Sequence, residues 1–143
     1  MVMATLAETP RRTILLVEDE PPVRRLIKRI LSTERAKILT AGSGAQALQI
    51  AERIAVDLVI LDIKLPDVDG TEILRRLRDL DADVAVIMVT GYGSAETVRA
   101  AMELGAFDYL TKPFSGEEMS RVVREALASR RLGPIRCAVS LNL

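Results

Sequence analysis

Four short apolar runs organise this chain, and each stops at a polar residue. Ile14-Leu15-Leu16-Val17 runs into Glu18 and Asp19, and Leu58-Val59-Ile60-Leu61 runs into Asp62. Residues 84–89 run into Thr90, and Phe107-Asp108-Tyr109-Leu110-Thr111 runs into Lys112. Runs this short and this rich in Val, Ile and Leu predict central parallel strands covered on both faces. A weaker strand over 37–40 is expected at or near the sheet edge. Between the strands the apolar period lengthens to that of a helix. Val23, Leu26, Ile27, Ile30 and Leu31 form one stripe after Pro21-Pro22, which suits a first helical turn. Ser43 with Gln46 fits a capping box, opening a helix that packs through Ala45, Leu48 and Ala51. Ile73, Leu74 and Leu77 mark a third helix, and 94–104 a fourth with Val98, Ala101 and Met102 as its modest apolar face. Ser115 with Glu118 caps a fifth, continued by Met119, Val122, Val123, Ala126 and Leu127. Alternating strands and helices predict an α/β fold, and the right-handed crossover rule makes it a doubly wound, five-stranded parallel sheet.

In such a sheet ligands bind beyond the carboxyl ends of the strands, where strand order reverses. Glu18, Asp19, Asp62, Thr90 and Lys112 would therefore meet along one rim. Crowded carboxylates repel one another unless a cation compensates. An oxygen-only set favours a hard ion, and Mg²⁺ fits because it needs few carboxylates and keeps waters and phosphoryl oxygens. Asp62, ending a run of four large apolar residues, is placed to act as a nucleophile toward phosphorus. Phosphoryl transfer depends on alignment and charge neutralisation. Lys112 would neutralise one side of the phosphoryl group, Mg²⁺ another, and the Thr90 hydroxyl would hydrogen-bond a third oxygen. Taken singly, Lys112 reads as a solvated surface lysine, Thr90 as a strand terminus, and Asp19 or Glu20 as a helix cap. A cap needs one acid, and it explains neither Asp62 nor Lys112.

Composition narrows the field further. The 143 residues carry 20 basic and 20 acidic side chains, so net charge predicts no general affinity for nucleic acid or anionic membrane. No apolar stretch approaches the roughly 20 residues of a membrane span. The first ten residues lack the pattern of a secretory signal, so a cytoplasmic protein is expected. There is no histidine, which excludes His-based triads and His general bases. The single cysteine, Cys137, excludes an intrachain disulfide. The four aromatics, Tyr92, Phe107, Tyr109 and Phe114, cluster near the expected site. Phe107 and Phe114 are read as core residues.

Over residues 13 to about 130 the chain resembles the receiver domain of two-component response regulators, most closely receivers of transcriptional activators. The stretches that carry the likeness are Ile14-Leu-Leu-Val-Glu-Asp-Glu20, Leu58-Val-Ile-Leu-Asp-Ile-Lys-Leu-Pro-Asp-Val-Asp-Gly70, Val89-Thr-Gly91 and Gly105-Ala-Phe-Asp-Tyr-Leu-Thr-Lys-Pro-Phe114. The resemblance implies a flavodoxin-like (βα)5 fold with strand order 2-1-3-4-5. It implies that Asp62 is the phosphoacceptor, Asp19 a direct Mg²⁺ ligand, Glu18 a ligand through water, and the Lys64 carbonyl a further ligand. Thr90 and Tyr109 would be the switch pair, Lys112 the essential lysine, and Lys112-Pro113 a cis bond. Glu18 stands where the family often has Asp, one methylene longer. The donor would be a sensor histidine kinase or a histidine phosphotransfer protein, since this chain cannot form a phosphohistidine. Phosphorylation would alter the face formed by the fourth helix, fifth strand and fifth helix. Lys64 and Tyr92, each two positions beyond a site residue, are expected to modulate the lifetime of the acyl phosphate.

Two other readings compete. Asp67-Val68-Asp69-Gly70-Thr71 matches the nucleophile motif of haloacid-dehalogenase-type phosphatases. There the nucleophile follows a strand directly, whereas Leu65-Pro66 precedes Asp67. The second is a receiver turned constitutive interaction module, which the intact acidic cluster, Thr90 and Lys112 oppose. The expected organisation is a flexible segment over 1–12, the receiver over 13–131, and a tail or extra strand over 132–143, where alternating Ile135, Cys137, Val139, Leu141 and Leu143 leave open pairing with a second copy. The output is either a docked partner protein or a missing domain, the chain being stand-alone or excised from a longer regulator.

Overall fold

The computed structural model describes residues 11–91 and 95–130, so Tyr92 and the segments 1–10 and 131–143 lie outside the described residues. Five parallel strands are present there: β1 (Arg12–Val17), β2 (Ala36–Ala41), β3 (Leu58–Asp62), β4 (Ala85–Thr90) and β5 (Asp108–Thr111). They alternate with α1 (Pro21–Leu31), α2 (Gly44–Arg53), α3 (Gly70–Leu80), α4 (Ala95–Glu103) and α5 (Gly116–Arg130). The sheet order is β2-β1-β3-β4-β5. The chain thus winds outward from β1 in both directions, and the reversal falls between β1 and β3.

Side-chain alternation divides each central strand between two cores. Leu15 and Val17 of β1, Val59 and Leu61 of β3, and Val86 and Met88 of β4 face Ala47, Ile73, Leu74, Leu77 and Ala101 of α2, α3 and α4. Ile14, Leu16, Leu58, Ile60, Ile87 and Val89 face Ile27, Leu31, Met119, Val122, Val123 and Ala126 of α1 and α5. Burial on both sides explains why these runs are apolar throughout, and why β2, at the edge, is not.

Three helix faces differ from the pattern-based expectation. Leu26 is 48% exposed, and the α1 stripe narrows to Val23, Ile27, Ile30 and Leu31. In α2 the packing face is turned to Ala47, Leu48, Ile50 and Ala51, leaving Ala45 outside. Met102 of α4 is exposed while Ala101 is buried. In α1 and α4 the buried stripe is narrower than the run of apolar letters suggests, and in α2 it is rotated. Phe107 and Phe114 do pack against the α1–α5 core.

Candidate functional site

Register decides which residues meet. Val17 pairs with Leu61, Asp62 with Val89, and Thr90 with Thr111. The residues just past those pairs, Glu18, Asp62, Thr90 and Lys112, thereby line up across four adjacent strands at one rim. Glu18, Asp62 and Thr90 are the buried polar residues among the described side chains.

Lys112 joins the carboxylates. Its ammonium donates to Glu18 Oε1 at 3.1 Å and to Asp62 Oδ2 at 3.2 Å. The other Asp62 oxygen, Oδ1, accepts from the backbone N–H of Lys64 at 3.0 Å, which fixes the carboxylate at both ends. Glu18 Oε2 accepts from the N–H of Glu20 at 3.3 Å. The β1–α1 segment is held by Arg24, whose guanidinium donates to the Glu18 carbonyl at 2.9 Å, and by the Glu18 N–H donating to the Ala41 carbonyl at 3.0 Å. The Lys112-Pro113 bond is cis, as the resemblance implied.

Carboxylate oxygens of Glu18, Asp19 and Asp62 all lie within 4.8 Å of one another. Three carboxylates face one ammonium, so the rim carries an excess of negative charge. The strain shows in Glu18: burial first, then the Asp62 carboxylate, raises its carboxyl from 4.5 to about 7, against the lowering effect of Lys112. Lys112 is itself raised, because its two carboxylate partners outweigh its partial burial. An oxygen-only donor set short of positive charge fits a hard divalent cation.

Thr90 is 2% exposed and borders a cleft of about 440 Å³ with Ala95, Val98, Arg99, Tyr109 and Thr111. Tyr109 is 41% exposed. Lys64 is also exposed, beside the rim.

The rival phosphatase motif finds another use. Both oxygens of Asp67 accept N–H donors from the start of α2, Gly44 and Ala45, at 3.0 Å each. Those donors hold its carboxyl below the usual value. Asp69 caps α3 by accepting from the Thr71 N–H at 2.9 Å. Neither capping contact was read from the sequence. Asp69 had a local signal, an Asx residue just before a helical run, whereas the partners of Asp67 lie 23 and 22 residues upstream. The capping alternative for Glu20 finds no support, since its side chain makes no cap hydrogen bond.

Known proteins point the same way as the geometry. The family profile of the response regulator receiver domain matches residues 14–124. Over 114 residues the chain is 37% identical to sporulation initiation phosphotransferase F of Bacillus subtilis (strain 168), covering 80% of this chain and 92% of that protein. It is 36% identical over 119 residues to the C4-dicarboxylate transport transcriptional regulatory protein DctD of Pseudomonas aeruginosa, covering 83% of this chain but 26% of the regulator. A crystal structure of a CheY-like response regulator receiver domain protein from Methanospirillum hungatei JF-1 superposes with a TM-score of 0.83 at 31% identity, covering 87% of this chain and 99% of that one. The chain belongs to the response regulator receiver domains, signalling domains that are phosphorylated on an aspartate and work with histidine kinases and output domains in two-component systems.

Proposed function

We propose that Asp62 is the phosphoacceptor and that this rim performs the transfer. An Asp62 oxygen forms a bond to phosphorus as the phosphorus–nitrogen bond of a phosphohistidine breaks, the electron pair leaving with the imidazole. The donor is a sensor histidine kinase or a histidine phosphotransfer protein. Hydrolysis of the resulting acyl phosphate returns the carboxylate, so the domain turns over only its own modification.

Asp19, Asp62, Glu18 through a water, and the Lys64 carbonyl would hold Mg²⁺. Bound there, the ion supplies charge neutralisation for the incoming phosphoryl group. Lys112 contributes the second positive charge, already directed at Asp62. Thr90, at the next strand end, offers its hydroxyl to a phosphoryl oxygen. The modification adds about −1.5 to −2 charge at Asp62. Thr90 and Tyr109 border one cleft, and movement of the Tyr109 ring into it would carry the change to the face of α4, β5 and α5. That face then docks a partner protein or an output domain. Lys64 and Tyr92 set how well water reaches the acyl phosphate.

The observation that carries this reading is the 3.1 and 3.2 Å contacts by which Lys112 gathers Glu18 and Asp62 beside Asp19. Incubation with acetyl phosphate and Mg²⁺ should add one phosphoryl group to the native chain and none to Asp62→Asn. Intact-mass labelling of the Asp62→Asn variant at the native level would overturn the assignment.

A further inference from the structure

The start of α2 contributes no group to the acidic rim, yet it holds the loop that follows Asp62. The Glu18 segment is held separately by the sheet, the carbonyl of Ala41, the last residue of β2, accepting the Glu18 N–H at 3.0 Å. At the helix itself, Gly44 and Ala45 donate their N–H groups to the two oxygens of Asp67. These are among the N–H groups that no helix can satisfy from within, and a carboxylate at the positive end of a helix is favoured. The first turn has its own cap as well, Ser43 Oγ accepting from Gln46 N at 3.2 Å. Asp67 is therefore an addition from a distant loop.

That loop, 63–69, is also anchored at its start, where the Ile63 N–H donates to the Val89 carbonyl at 3.0 Å. Its ends close on each other, Gly70 N–H donating to the Ile63 carbonyl at 3.0 Å and Lys64 bridging Asp69. Leu65 and Val68 are partly buried, while Lys64, Pro66, Asp67 and Asp69 are exposed. Close approach to α2 depends on Gly44, where a Cβ would stand 2.8 Å from Ile73 Cδ1 and 3.3 Å from Val68 Cβ. The loop lies against α2 with no room for a Cβ at Gly44 unless Ile73 shifts, and Asp67 fastens it there.

We infer that Asp67 is a positioning residue for the aspartyl site, latching the 63–69 loop to the start of α2 and so fixing the Lys64 backbone, whose N–H donates to Asp62, against the acids held by the strands. The inference rests on the reading of the rim as a Mg²⁺-dependent phosphoacceptor site. Loss of an outer residue that orients metal ligands weakens metal binding by about 10- to 100-fold.

The test compares Asp67→Ala with Ser43→Ala, which removes a cap from the same helix and leaves the latch intact. Mg²⁺ is titrated into each protein by NMR, and amide exchange is read without metal. Asp67→Ala should raise the Mg²⁺ dissociation constant about 10-fold and speed exchange at Lys64 and Gly70. Ser43→Ala should do neither. Asp67→Asn, which keeps one acceptor oxygen, should fall between and serves if the alanine variant does not fold. Equal Mg²⁺ affinity in Asp67→Ala and the native protein, or an equal loss in Ser43→Ala, overturns the latch and leaves the phosphoacceptor reading standing. A native protein that neither binds Mg²⁺ nor accepts phosphate from acetyl phosphate overturns that reading, and the latch with it.

Discussion

Replacing Glu18 by Gln should make the metal-free protein more stable at neutral pH, and the gain should vanish in acid. Glu18 is 1% exposed and shares Lys112 with Asp62. Its carboxyl is raised from 4.5 to about 7, so between those values the folded state binds more protons than the unfolded state. Stability linked to this group is therefore fully present below pH 4.5 and lost as pH rises through about 7. The whole loss is on the order of 3 kcal/mol, most of it between pH 5 and 8. Asp67 and Glu72, both lowered, act in the opposite sense but below their ordinary values of 3.8 and 4.5, outside this window. The difference between Glu18→Gln and the native chain isolates the single group, because Gln keeps the shape without the charge. Urea unfolding in EDTA at pH 5 and pH 8 reads it. With a slope of about 1.5 kcal/mol per molar urea, the gap between the two midpoints should widen by about 1–2 M from pH 5 to pH 8. Mg²⁺ favours the ionised carboxylate, so saturating metal should flatten the dependence. A gap between native and variant that stays constant within about 0.5 kcal/mol across this range would show that Glu18 is not the crowded group described.

Two further substitutions probe other parts of the structure. Lys112→Met removes the ammonium from Glu18 and Asp62 and should cost about 3 kcal/mol at pH 8 and distinctly less at pH 5, where Glu18 can protonate. Equal losses at the two pH values in urea melts would refute the shared-cation account. Gly105, at φ +96°, has Arg78 Nε 2.6 Å from where a Cβ would stand. Gly105→Ala should cost about 1–3 kcal/mol through backbone conformation and crowding together. Adding Arg78→Ala should recover only the crowding part, so full recovery of the thermal midpoint would contradict the backbone contribution.

The rim was legible because its residues are the polar stops of apolar runs, a signal that depends on strand ends rather than on distant packing. The joining of Glu18, Asp62, Thr90 and Lys112 follows from the same pattern in a doubly wound sheet, whereas the strand order, which crossover handedness only narrows, was implied by the family resemblance. Helix faces were read less well. Leu26, Ala45 and Met102 are apolar letters at plausible positions, yet the buried face of each helix falls on their neighbours and leaves them exposed. The double engagement of Lys112 also escaped the sequence, since it spans separations of 94 and 50 residues. Asp67 shows how a short motif misleads: its two acids look catalytic in one dimension and turn out to be caps of two different helices.

The position of Lys112 at the end of β5 has a consequence for how the protein comes into being. A ribosome delivers Glu18 and Asp62 long before it delivers their shared counter-ion. Until the last strand docks, two acids destined for the interior lack the one ammonium they share. On the proposed reading of the rim, the phosphoacceptor site is complete once β5 has docked.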